Sequence, residues 1–158
     1  MITAVDTNVL LDLLIPGAKH AETSEVMLDQ AHRDGRVIAP EVVYAELAAS
    51  FSAREGLDGF IANTGLEIVP SMLVALFSAG EAWKTYTRRR PRNAVECPDC
   101  GRSQEVPCGD CGKPISWRQH MVADFLVGGH ALHHADRLAT RDLGFYKTYF
   151  PTLRLLVS

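Results

Sequence analysis

The sequence predicts an α/β domain built on a parallel sheet, and three observations carry that expectation. Short apolar runs alternate with longer segments of helical period. No hairpin signal joins one run to the next. Two of the runs, Ile2 to Val5 and Leu138 to Thr140, lead into an aspartate, Asp6 directly and Asp142 after one residue, as strands do at the ligand end of an open parallel sheet. The length of 158 residues fits one domain spanning 1–158, with room for a small addition. A composition of 47% hydrophobic and 22% charged residues excludes collagen-like, coiled-coil and disordered classes.

Each element has its own signal. Ile2 to Val5 reads as the first strand, and Thr7 or Asn8 begins a helix that Pro16-Gly17 closes. Ala18 to Asp34 reads as a second helix, with Val26, Met27 and Ala31 at helical spacing and Gly35 ending it. Arg36 to Ala39 is the second strand. Pro40 opens a third helix with a stripe of Val43, Leu47 and Phe51, which Glu46 flanks. Leu57 to Ala62 adds a helical turn or two, and Leu66 to Val69 a third strand. From Ser71 to about Arg90 a helix carries Leu73, Leu76, Phe77, Trp83 and Tyr86 before Arg88-Arg89-Arg90 and Pro91. A helix over Gln119 to His134 follows, whose Gly128-Gly129 pair predicts close backbone packing. A fourth strand at Leu138 to Thr140 and a fifth at Leu153 to Val157 complete the pattern. Phe145, Tyr146, Tyr149 and Phe150 close the C-terminal core or form a dimer face.

Positions 92–118 differ in kind: they hold all four cysteines and three of the eight prolines, without helical period, and read as an insert. Cys97-Pro98-Asp99-Cys100-Gly101 and Cys108-Gly109-Asp110-Cys111-Gly112 are two C-x-x-C-G units seven residues apart. Paired thiolates at that spacing in a reducing cytoplasm predict a structural four-cysteine zinc site of zinc-ribbon type, with Zn2+ held by Cys97, Cys100, Cys108 and Cys111. No signal peptide or membrane anchor is readable at the N-terminus, so a cytoplasmic protein is expected. His130, His133 and His134 are helix-spaced and read as packing or surface residues. Trp117 either stacks on a base or anchors the insert.

Four acids sit at separate element ends. Asp6 and Asp142 follow strands; Glu46 and Asp124 interrupt apolar helical neighbourhoods, where a carboxylate is costly unless a positive group meets it. Together they would repel one another unless Mg2+ or Mn2+ neutralised them, and oxygen-only ligation suits those hard cations. Such a site activates water against a phosphorus centre, which is phosphodiester hydrolysis.

The segments Val5-Asp6-Thr7-Asn8-Val9-Leu10, Ala39-Pro40-Glu41-Val42-Val43-Tyr44-Ala45-Glu46-Leu47, Ala123-Asp124-Phe125-Leu126-Val127-Gly128-Gly129-His130-Ala131-Leu132 and Ala139-Thr140-Arg141-Asp142-Leu143-Gly144-Phe145-Tyr146 resemble, in order and setting, those of the PIN-domain ribonucleases, VapC-type toxins in particular. The resemblance covers the chain outside the cysteine segment. It implies a three-layer PIN-like fold. Asp6, Glu46, Asp124 and Asp142 would be its catalytic metal site, with Thr7, Asn8 and Thr140 as polar supports. It further implies Mg2+- or Mn2+-dependent cleavage of an RNA substrate, a homodimer, and a small antitoxin that inhibits by entering the active-site groove. The inserted cysteine segment departs from the family pattern. Other readings are a PIN nuclease of RNA processing and a non-catalytic zinc-ribbon RNA-binding adaptor. A phosphatase of the haloacid dehalogenase type would need an acid where the chain has Asn8.

The formal charge of -3 advertises no nucleic-acid binder as a whole, yet setting aside the four site acids leaves 16 positive against 15 negative charges. Residues 84–118 hold eight basic residues against four acids. Arg88, Arg89, Arg90, Arg92 and Arg118 are therefore candidate RNA phosphate contacts. Arg141 would either hold Asp142 or touch phosphate.

Overall fold

The computed structural model describes residues 1–89, 95–96, 102–115 and 122–157. In chain order the elements are β1 (Ile2–Val5), α1 (Thr7–Leu14), α2 (Ala21–Asp34), β2 (Arg36–Ala39), α3 (Glu41–Ala48), α4 (Arg54–Asn63), β3 (Glu67–Ile68), α5 (Leu73–Arg89), β4 (Val95–Glu96), β5 (Ser103–Gln104), β6 (Val106–Pro107), β7 (Pro114–Ile115), α6 (Val122–His134), β8 (Arg137–Ala139), α7 (Leu143–Tyr149) and β9 (Leu155–Leu156). Five strands form one sheet in the order β3-β2-β1-β8-β9, and every neighbouring pair is parallel. The central strand β1 is buried on both sides, with Thr3, Ala4 and Val5 all inaccessible, which is why it reads as a continuous apolar run. Helices flank the sheet: α2 packs on β1, β2 and β8, and α6 on β1 and β8. The strand order runs outward from β1 in both directions, so the switch point lies at the carboxyl ends of β1 and β8.

Local chemistry sets the boundaries. Gly35 ends α2 with φ +145°, and its N–H donates to the carbonyls of Ala31 and His32. A Cβ there would lie 2.2 Å from the Met1 carbonyl oxygen, so only glycine lets the chain turn into β2 beside the N-terminus. α2 begins three residues later than the sequence suggests, and Val26 on it is 56% exposed, leaving Met27, Leu28 and Ala31 to face the core. α3 stops at Ala48, short of Phe51, which instead packs against Phe60 with ring centroids 5.9 Å apart.

The pairing of α5 with α6 differs most from expectation. Leu73 and Phe77 on α5 are 84% and 70% exposed, while Ala75, Ala79, Ala82 and Tyr86 are buried. The cause lies on α6. A Cβ on Gly129 would stand 2.4 Å from the Ala75 carbonyl oxygen, and one on Gly128 would be 2.3 Å from the Phe150 ring. Helices this close admit only small residues between them, so the large apolar side chains of the first turns of α5 face outward. The histidines fasten the same seam. His130 Nδ1 and Ser71 Oγ are 3.0 Å apart, Met72 N donates to His134 Nε2 at 3.1 Å, and His133 Nε2 lies 2.8 Å from Ser78 Oγ. Burial, first, and the neighbouring His134 push His130 down to about 4, which keeps this buried ring neutral. His130 is thus a packing residue and His133 a surface one. Phe145, Tyr146 and Phe150 are buried and belong to the core.

The cysteine segment forms two antiparallel ladders, β4 with β5 and β6 with β7. Residues 108–112, the second C-x-x-C-G unit, form the turn between β6 and β7. Cys97, Cys100, Arg90, Arg92, Trp117 and Arg118 lie outside the described residues.

Gly129→Ala should lower stability by about 2 kcal/mol in urea denaturation, because overpacking against a backbone carbonyl outweighs the roughly 1 kcal/mol of helix propensity gained. Gly80→Ala on the open face of α5, where an added Cβ meets nothing within 4 Å, should instead stabilise by up to about 1 kcal/mol.

Candidate active site

Asp6 occupies the position before the first residue of α1, where an aspartate ordinarily caps the helix with its own side chain, yet it makes no such bond. Its N–H donates to the Ala139 carbonyl at 3.0 Å, extending the pairing of β1 with β8 by one residue. The carboxylate is thereby turned toward β8, where Thr140 Oγ1 donates to Asp6 Oδ2 at 2.7 Å. Asn8 Nδ2 donates to the same oxygen at 2.6 Å. Asn8 is held in turn, because its Oδ1 accepts from the Arg141 N–H at 3.2 Å. Thr140 Oγ1 also accepts from the Asp142 N–H at 3.1 Å, so one hydroxyl joins the two aspartates.

The other two acids arrive on helices. Thr7, at the start of α1, donates its hydroxyl to Glu46 Oε2 on α3. Asp124 lies in the first turn of α6, and its backbone carbonyl accepts from the Tyr146 hydroxyl at 3.4 Å. Asp142 caps α7 by accepting from the Phe145 N–H at 3.1 Å.

Electrostatics tie these groups together. Asp6 is 5% exposed, and burial pushes its carboxyl up to about 6. The Thr140 bond opposes that rise, and the charges of Asp124 and Glu46 add to it. Burial raises the Tyr146 phenol well above its ordinary range, with Asp6, Asp124 and Asp142 contributing. The donor set is all oxygen, the chemistry of hard divalent cations. Among the described residues, no three His, Cys, Asp or Glu side chains converge as a metal cluster.

Two features were not legible in the sequence. The Arg141 side chain is committed to an acid that the sequence did not single out: its Nε lies 2.6 Å from Asp12 Oδ2, which also accepts from Ser24 Oγ at 2.6 Å. This ion pair latches the β8–α7 loop onto α1 and α2. Tyr146 reads in sequence as an aromatic of the core, and nothing in a seven-residue helix announces that its hydroxyl reaches the Asp124 backbone carbonyl.

Apart from this site, Cys108 and Cys111 are free thiols in the turn between β6 and β7. The turn is closed by Gly112 N to the Cys108 carbonyl at 2.9 Å, with Gly112 at φ +68°. Backbone N–H groups of Cys111 and Asp110 hold the Cys108 thiol below its ordinary range, favouring the thiolate. Arg88 and Arg89 end α5 exposed to solvent. No helix among the described residues is long and apolar enough to cross a membrane.

Comparison with known proteins adds the family. No curated protein matches the chain. Among solved structures, VapBC2 from Rickettsia felis bound to a DNA fragment from its promoter is similar in fold, with a TM-score of 0.60 and 19% identity over 98% of this chain and 97% of that one. VapBC-1 from nontypeable Haemophilus influenzae gives a TM-score of 0.60 and 16% identity over 98% and 96% of the two chains. FitAcB from Neisseria gonorrhoeae gives 0.57 and 18% over 99% and 96%. The PIN domain model matches residues 3–151, nearly the whole length of the sheet, the helices and the four acids, and the chain therefore belongs to the PIN-domain family.

Proposed function

We propose that this PIN domain is a metal-dependent endoribonuclease and the toxin of a VapBC-type toxin–antitoxin pair. The single observation that carries the nuclease reading is the Asp6 carboxylate. It is buried at the switch point of the sheet, bonded to Asn8 and Thr140, and resists ionisation in the field of Asp124 and Glu46. A divalent cation relieves that field. When bound, Mg2+ or Mn2+ neutralises the carboxylates and activates water for attack on an RNA phosphodiester. Asp6, Glu46, Asp124 and Asp142 would hold it. Thr7 orients Glu46, and Asn8 and Thr140 orient Asp6. Arg88 and Arg89, with Arg90, Arg92 and Arg118, supply positive charge for the RNA backbone. The toxin reading rests on relatives that are two-component complexes, from which a small antitoxin partner is proposed for this chain.

Two further assignments accompany it. The β4–β5 and β6–β7 ladders bracket the two C-x-x-C-G units, and N–H groups aimed at Cys108 Sγ suit a thiolate bound to a cation. Both support a structural zinc site made of the four cysteines. The outward-facing Leu73, Val74 and Phe77 supply an apolar patch for a homodimer.

Cleavage of mixed RNA in Mn2+ or Mg2+ tests the proposal. Asp6→Asn and Asp124→Asn should each lower the rate at least about 100-fold, an effect of roughly 3 kcal/mol on the barrier. Activity equal to wild type in both sinks the site.

A pH series tests the electrostatics. Asp6 binds its proton more tightly folded than unfolded, so between pH 3.8 and about 6 the metal-free fold loses stability as pH rises. Asp6→Asn should therefore stabilise the metal-free protein at pH 8 by up to about 3 kcal/mol, with the advantage gone at pH 4. Cation affinity of the metal-free protein should fall as pH drops through about 6, where the proton competes with the cation for Asp6.

Metal analysis and sedimentation of one preparation check the remaining assignments. About one zinc per chain is expected, lost in Cys108→Ser. The dimer mass should drop to a monomer in Phe77→Glu.

A further inference from the structure

We propose that Asp12 is a positioning residue of the cation site, acting through the guanidinium fork of Arg141 to fix the Asn8 amide against Asp6. The inference rests on the nuclease reading above for its consequence, while the clamp itself needs no cation. Arg141 grips Asn8 from two sides. Its backbone N–H donates to Asn8 Oδ1 at 3.2 Å, and its Nη2 donates to the Asn8 backbone carbonyl at 3.4 Å. Asn8 Nδ2 then donates to Asp6 Oδ2 at 2.6 Å and to Thr140 Oγ1 at 3.3 Å. Asp12, one helical turn beyond Asn8 on α1, holds the fork in place, its Oδ2 lying 2.6 Å from Arg141 Nε. The same oxygen accepts from Ser24 Oγ on α2 at 2.6 Å. An unbroken chain thus runs from Ser24 through Asp12, Arg141 and Asn8 to the Asp6 carboxylate.

Stability alone does not account for the pair. An ion pair that merely decorates a surface leaves both partners wet, but the Asp12 side chain is 9% exposed and Ser24 is fully buried. Taking a carboxylate out of water is costly, and an apolar residue at position 12 would suit a helix that already buries Val9 and Leu10. The fork does what an ammonium cannot: Nε and Nη2 hold Asp12 and the Asn8 carbonyl together in one rigid plane. With that side chain held, the backbone at Arg141 keeps its N–H on Asn8, and the next residue, Asp142, keeps its N–H on Thr140 Oγ1. Outer hydrogen bonds of this kind orient the ligands of a metal, and losing one typically weakens metal binding about 10–100-fold.

NMR of the metal-free protein tests the clamp, with wild type, Asp12→Asn and Arg141→Lys compared. The Asn8 side-chain amide protons should exchange with solvent at least about 10-fold faster in both variants. Calorimetric titration of Mn2+ reads the consequence: each variant should bind about 10-fold more weakly, and the double variant no more weakly than either single one, because both act through Asn8. Arg141→Lys alters a partly exposed side chain and leaves Asp12 a cationic partner, so its melting temperature should stay close to the wild-type value while its Mn2+ affinity falls. Unchanged Asn8 exchange in both variants overturns the clamp. Wild-type Mn2+ affinity in Arg141→Lys, with binding lost in Asp6→Asn, overturns the positioning role and leaves the metal site standing. Wild-type Mn2+ affinity in Asp6→Asn overturns the metal site itself, and with it the role assigned to Asp12.

Discussion

Everything at the functional end of the molecule depends on where two adjacent parallel strands stop. β1 is followed by Asp6 and β8 by Thr140, and the Asp6 N–H to Ala139 carbonyl bond fixes their relative register. That register brings the Thr140 hydroxyl to the Asp6 carboxylate and, through the same oxygen, ties down the Asp142 N–H. A shift of one residue would reverse the side-chain directions and separate the two acids. The buried interior of the strands specifies the register, so the hydrophobic core and the polar site are set by one pairing. The cost is concentrated charge: Asp6 is driven toward its protonated form by burial and by the neighbouring acids.

A second constraint brings the helical acids to that point. Asp124 projects from the first turn of α6, and the placement of α6 is fixed by how closely it can approach α5. Gly129 removes the Cβ that would hold the helices apart, with Ala75 and Ala79 facing it on α5, and Gly128 makes room for the Phe150 ring. Stacking of His130 on His134, centroids 4.3 Å apart, and their bonds to Ser71 and Met72 lock the other end of the seam. Glycines that lower helix propensity in isolation thus contribute to the position of a site acid. In sequence the cysteine segment joins α5 to α6 and contributes no strand to the five-stranded sheet among the described residues.

Much of the fold was legible in the sequence because its signals are local. β1 and β2 occur where apolar runs end at Asp6 and Pro40, and α2 stops at Gly35 for a reason visible in one residue. The outward face of α5 was not legible. Leu73 and Phe77 are what a buried stripe is made of, and only the close approach of α6, a tertiary fact, excludes them. The site divides the same way. Asp6 and Asp142 stand out as acids at strand ends, and Thr7 and Thr140 stand beside them. The Arg141–Asp12 ion pair joins residues more than a hundred positions apart, and no spacing rule reaches that far.

Asn8 shows how tightly the chemistry is specified. Its amide acts in two directions, Nδ2 donating to Asp6 and Oδ1 accepting from Arg141 N–H. An aspartate at this position could accept from Arg141 but could not donate to Asp6. It would place a second negative charge within hydrogen-bond distance of a carboxylate that already resists ionisation. The paired-aspartate arrangement of a haloacid dehalogenase-type phosphatase is therefore incompatible with this network, beyond being absent from the sequence. Arg141 reinforces the choice. With its side chain committed to Asp12 and its N–H to Asn8, it holds the amide in the one orientation that serves Asp6. The polar supports thus favour a single buried aspartate at the end of β1, with its charge partners supplied from other elements.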